Sequence, residues 1–105
     1  MSARKKTAPA SIPTTKPPVK MCLYIAENAP NSMAAVANLE QICNEHLKDA
    51  FTLEIVDVMT DPLRALADGI VVTPSLAKIS PLPATKIVGN LSDRTGVLRA
   101  LGIRA

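Results

Sequence analysis

A single α/β domain built on a four-stranded mixed sheet is what this sequence predicts, and three observations carry that prediction. Residues 20–59 read as strand, amphipathic helix and strand; residues 70–89 hold two strand-like runs around a Pro-rich turn; and a proline, Pro74, stands at the entrance of the third strand. The first pattern implies a parallel βαβ unit with a right-handed crossover. The second implies an antiparallel hairpin. A chain of 105 residues, 48% hydrophobic and 20% charged, has the length of one domain and enough apolar content for a core. Its aromatic content is 2%, from Tyr24 and Phe51, so the core is expected to be aliphatic and no base-stacking platform for single-stranded nucleic acid is expected.

The elements follow in order. Met21–Ala26 is an almost unbroken apolar run of strand length, as expected for a strand covered on both faces. Glu27-Asn28-Ala29-Pro30-Asn31-Ser32 supplies turn and helix-start chemistry, since Asn or Ser side chains cap free amides and Pro is tolerated in a first turn. Helical spacing of Met33, Val36, Leu39, Cys43 and Leu47, widened by Ile42, predicts a helix over about 32–47 with Asn38, Gln41, Glu45 and Lys48 facing water. Phe51–Met59 is the second strand. Asp61-Pro62 pairs an N-cap with a first-turn proline and opens a short helix through about Ala67, which Asp68-Gly69 ends. Ile70–Ile79 is strand-like with Pro74 inside it, Ser80-Pro81-Leu82-Pro83 turns the chain, and Thr85–Gly89 returns as the fourth strand. Ser92 caps a last helix over about 93–101.

Charge divides the chain in two. Residues 1–19 carry Arg4, Lys5, Lys6 and Lys16 with no acid, whereas residues 20–105 sum to −1. The net charge of +3 therefore belongs to a Pro-rich leader, residues 1–19, with too little apolar surface to offset the entropy of ordering. Residues 20–105 form the expected folded domain, with no binding of nucleic acid expected from it. No apolar stretch approaches the roughly 18 residues of a membrane span, and no secretory signal opens the chain, so a cytoplasmic protein without a membrane partner is expected. Cys22 and Cys43 form neither a Cys-x-x-Cys pair nor a zinc-ligand set.

The order β-α-β-α-β-β-α is the thioredoxin-like topology, in which the proline before the third strand is held cis; Pro74 occupies that place. A redox enzyme of that fold sets a nucleophilic cysteine at the start of the first helix, where the dipole and free amides lower its pKa. This chain has Ala29-Pro30-Asn31-Ser32 there, without sulfur. Cys22, in a strand, and Cys43, on an apolar helix face, read as core residues. His46, the one histidine, lies near a helix C-terminus, and Asp57, Asp61 and Asp68 fit a strand end, an N-cap and a turn. No phosphate-binding loop, dinucleotide fingerprint or nucleophile elbow is present. Neither catalysis, nor a cofactor, nor a metal is expected.

The segment Leu23-Tyr24-Ile25-Ala26-Glu27-Asn28-Ala29-Pro30-Asn31-Ser32 resembles the opening of the KaiB family of bacterial circadian clock proteins. The resemblance runs on through Asn38-Leu39, Cys43, His46-Leu47, Leu53–Val58, Asp61-Pro62, Val72-Thr73-Pro74-Ser75-Leu76, Pro81-Leu82-Pro83 and Ile87–Arg94, across about residues 20–103. It implies a non-enzymatic regulator that binds a KaiC-like RecA-type ATPase and autokinase, in circadian-type or stress-response signalling. It also implies a fold change between a tetrameric resting form and a thioredoxin-like binding form.

Departures from the family pattern shape the expectation. Ala100-Leu101-Gly102 stands where the family has Gly-Leu-Asp, Asn90 follows Gly89 where Asp is common, no acidic tail follows, and Glu27 replaces a glycine. By helix propensity, Ala100 for Gly favours the helix by about 1 kcal/mol. Gly89, Asn90, Ala100 and Gly102 are thus expected to decide the fold state, with the thioredoxin-like form at rest and a monomer or dimer favoured over a tetramer; Thr95, Gly96 and Val97 oppose the helix. A stress or signalling regulator is favoured over an oscillator part. Contacts are expected from Asn28, Pro30, Asn31, Thr73 and Pro74, and by resemblance from Asp61, Arg64, Ala65 and Asp68. Charge reversal at Arg64 is expected to weaken partner binding without unfolding the domain. Two other classes share the fold: a degenerate redox protein using Cys22 or Cys43, and a sensor module of a histidine-kinase pathway.

Overall fold

The computed structural model describes residues 18–48 and 50–103; the leader expected over 1–19 falls, but for its last two positions, outside them. β1 (Val19–Ile25) leads to α1 (Pro30–Ile42), which relaxes into one π-helical stretch, Cys43–Leu47. β2 (Phe51–Asp57), α2 (Pro62–Ala67), β3 (Ser75–Ser80), β4 (Thr85–Val88) and α3 (Arg94–Ala100) follow. The sheet order is β2-β1-β3-β4, with β1 and β2 parallel and the other pairs antiparallel. This is the predicted fold class, with helices on both faces. The peptide bonds before Pro74, Pro81 and Pro83 are cis.

Strand periodicity splits β1 between two cores. Val19, Met21 and Leu23 point to the larger one, where Leu76 of β3 meets Ala35, Leu39, Ile42 and Cys43, and Val97, Leu98 and Leu101 close it from the α3 side. Cys22 and Tyr24 point to the opposite face and join Val56, Val58, Ile70 and Ala77 in a thinner cluster. Lys78 is buried on the larger side, its Nζ 4.0 Å from the place a Cβ on Gly102 would take. Its ammonium thus lies against the carbonyl end of α3, a favourable place for a cation.

Several local expectations are corrected. Met33 is 51% exposed and Asn38 is partly covered, because the buried stripe of α1 runs through Ser32, Ala35, Leu39 and Ile42, and Met33 lies more than about 90° round the helix from its centre. The Asn38 amide donates to the Asn90 carbonyl at 2.8 Å. Ser32 does not cap the helix; its Oγ accepts the Ala26 N–H at 3.0 Å and closes the turn out of β1. Asp61 occupies the N-cap of α2 without a side-chain cap bond. Asp93, not Ser92, caps α3, its carboxylate accepting the Gly96 N–H. The helix ends in a Schellman motif: Gly102, at φ +78°, donates to Arg99, and Ile103 donates to Leu98 at 2.8 Å.

Glu27 carries local strain. Its φ is +47°, in the left-handed region where a Cβ is penalised. Glu27→Gly is expected to raise folding stability by about 1 kcal/mol, less whatever the freer unfolded chain takes back. Urea denaturation checks this, and a midpoint shifted downward contradicts it.

Candidate functional site

The chemistry of the second face is an ion-pair network that ties α2 to the sheet. Arg64, in the middle of α2, faces Glu54 of β2 and lies four residues before Asp68. Its two Nη atoms donate to the Glu54 carboxylate at 2.8 and 2.9 Å, a two-pronged contact matched to the planar guanidinium. Its Nε donates to Asp68 at 3.1 Å, and Asp68 accepts the Tyr24 hydroxyl at 2.6 Å. Arg64 Nη2 also lies 3.9 Å from the Cys22 sulfur.

The electrostatics follow from those contacts. Hydrogen bonds from Arg64 hold the Glu54 carboxyl below its usual range. The Tyr24 hydroxyl, then Arg64, does the same for Asp68. Glu54 first and Asp68 second raise Arg64, and burial, then the Asp68 bond, raises Tyr24. The carboxylates therefore contribute stability that is present above their unfolded pKa values, near pH 4, and lost as pH falls through the lower folded values.

The cysteines lie in two separate places. Both are free and buried, Cys22 in the thin cluster and Cys43 at the first position of the π-helical stretch. Burial raises both thiols, Cys43 to about 11. At pH 8 the Cys43 thiolate is then about one part in a thousand. Ellman's reagent is expected to label the native protein no faster than global unfolding permits; one fast, pH-activated thiol overturns this. Because the folded pKa of Cys43 exceeds the unfolded value, its contribution to stability is lost from about pH 8.5 upward, levelling off near 11.

The expected contact residues divide by position. Asn28, Pro30 and Asn31 are exposed at the start of α1, and Asp61 is exposed at the start of α2. Thr73 is half-buried, whereas Pro74 and Ala65 are buried and shape the surface from beneath. Arg64 and Asp68 are engaged with each other. Gly89, at φ +118°, donates to the Pro74 carbonyl at 3.0 Å, and the Asn90 Oδ1 accepts the Ser92 N–H. Ala100 is the last residue of α3.

Sequence reasoning missed an apolar surface around α2. Leu63 and Leu66 are 78% and 75% exposed, and Met59 before α2 and Val71 and Val72 after it are exposed as well. The available signal was arithmetic: with Ala65 and Arg64 turned to the sheet, a six-residue helix has its leucines left over. Among the described residues, no helix is long and apolar enough to cross a membrane, and no group of three or more His, Cys, Asp or Glu is placed to hold a metal ion.

Comparison with known proteins places this architecture. The N-terminal domain of SasA from Synechococcus elongatus superimposes with a TM-score of 0.67 at 22% identity, covering 90% of this chain and 93% of that one. Thioredoxin from Fasciola hepatica gives 0.64 at 15% identity, covering 81% and 83%. Both show the thioredoxin-like fold. The circadian clock oscillator protein KaiB of Prochlorococcus marinus is 44% identical over 81 residues, 77% of this chain and 68% of that protein. KaiB of Microcystis aeruginosa is 43% identical over the same length, 78% of its own. With the KaiB domain pattern matching residues 22–103, four-fifths of its length, the chain belongs to the KaiB family.

Proposed function

We propose that this protein is a non-enzymatic regulator that binds a KaiC-like ATPase and autokinase through α2 and its flanks. The observation that carries the reading is the exposure of Leu63 and Leu66 on a helix pinned to the sheet by Arg64. Two large apolar side chains three residues apart, left in the open on one helix of a small domain, mark an interaction site. Asp61 at the head of α2 contributes charge to that face, and Ala65 and Asp68 set its height above the sheet. Asn28, Pro30, Asn31, Thr73 and Pro74 form its neighbouring edge.

The protein rests in the thioredoxin-like state as a monomer or dimer, in the cytoplasm, and serves circadian-type or stress-response signalling. Ala100, the Asp93 cap and the Schellman turn at Gly102 support the resting state, since each favours the helix over an extended alternative. Gly89 and Asn90 support it from the other end through their bonds to Pro74 and Ser92. Residues 94–100 in a strand in solution contradict this part.

The test is a binding assay of the full chain against the KaiC-like ATPase of its own source, with ATP, in phosphorylated and unphosphorylated forms. Phosphorylation-sensitive complex formation supports the reading. No complex in either state overturns it.

A further inference from the structure

We propose that the cleft between α2 and the chain entering β3 receives an extended segment of a partner protein, anchored by one aliphatic side chain and flanked by basic ones. The proposal rests on the reading of this chain as a binding protein and names the chemistry of what it binds. Val58, Ala65, Ile70, Val71, Val72 and Thr73 line the cleft, an open depression of about 150 Å³. Apart from Thr73 its lining side chains are aliphatic, with backbone polar groups exposed among them, and none of the lining residues is charged.

The backbone beside the cleft supplies the second contact. Among the described residues, the N–H groups of Val71, Val72 and Thr73 donate no hydrogen bond, although Ile70 just before them donates to Ala65. Val71 is 90% exposed. An exposed run of unpaired amides is a template onto which an extended segment adds main-chain bonds, while its side chains occupy alternate pockets.

Charge complementarity selects the flanks. Asp57 Oδ1 accepts the N–H groups of Glu27 and Met59, which gathers Glu27, Asp57 and Asp61 at the sheet end next to Val58. Arg64, the basic residue of α2, is already taken up by Glu54 and Asp68. Three carboxylates thus stand at the sheet end beside the cleft, with Lys86 lying towards Asp68 instead, and they steer and fix a positively charged segment. Glu27 sits there at φ +47° despite the strain, as residues held for their side chains at binding sites do.

Titration of the ¹⁵N-labelled full chain with acetyl-Gly-Lys-Ile-Val-Lys-Gly-amide, followed by NMR, tests this. Saturable shifts at Val58 and at residues 70–73 are expected, with the lysine peptide binding about tenfold tighter than its glutamate counterpart at low salt and the gap narrowing as salt screens it. Val71→Lys, at an exposed position that cannot unfold the domain, is expected to remove most of the lysine-peptide affinity, and Glu27→Gly to weaken it. No saturation by about 1 mM, equal affinity for both peptides, or shifts centred elsewhere overturns the cleft. ATPase binding without peptide shifts at 70–73 overturns the cleft and leaves the partner reading standing. A peptide seated there without an ATPase complex does the reverse.

Discussion

Leu76→Ala is expected to lower folding stability by about 3 to 4 kcal/mol, enough to leave the domain partly unfolded at 37 °C. Leu76 is fully buried in the middle of the sheet, opposite Leu23 on one side and Ile87 on the other. It faces the larger core, where Leu39, Val97 and Leu101 surround it from two helices. Truncation loses both the transfer energy of the removed carbons and the contacts around the hole they leave. A domain of this size has a total stability of about 4 to 13 kcal/mol, so one such hole is a large fraction. Leu82→Ala, at a residue 81% exposed in the Pro-rich turn, is the control and is expected to shift stability by less than about 0.5 kcal/mol. Urea denaturation of both separates the two sites. A loss below about 1 kcal/mol for Leu76→Ala contradicts its central place.

The fold was legible because each element carries its own local chemistry. The unbroken run of β1, the β-branched run of β2, the Asp61-Pro62 start of α2 and the turn at Pro81-Leu82-Pro83 each point to one structure without help from the others. What local chemistry did not fix were positions set by tertiary contact. Met33 stands three residues before Val36, yet packing against the sheet buries the stripe Ser32, Ala35, Leu39 and Ile42 and leaves that side chain on the outer side. Asp93 and Ser92 are both good caps, and the path out of β4 through the left-handed Leu91 decides between them.

The candidate site was legible only in part. Arg64 and Asp68 stand four apart on a helix, so their pairing was readable from spacing. Glu54 and Tyr24 enter only once β2 and β1 lie side by side and α2 crosses them, ten and 44 residues away from their partners. That arrangement changes what Arg64 does. Its guanidinium is spent inside the molecule, so it places α2 rather than reaching outward.

Leu63→Lys combined with Leu66→Lys is therefore the variant expected to abolish measurable ATPase binding, by about a hundredfold or more, with the fold intact. Each leucine lies in the open on α2, so neither substitution removes core contacts, and stability is expected to move by less than about 0.5 kcal/mol per site. Buried aliphatic anchors at the centre of an interface each carry roughly 1 to 2 kcal/mol, and two lysines add the cost of desolvating their charges. Arg64→Glu cannot make the same distinction. It sets a third carboxylate against Glu54 and Asp68, loosens α2 from the sheet, and so lowers binding and thermal stability together. Affinity by titration calorimetry and melting temperature by circular dichroism, measured on both variants, separate contact from placement. Unchanged affinity in the leucine double variant means that the partner meets another face, and equal losses of melting temperature in both mean that α2 has moved rather than been read.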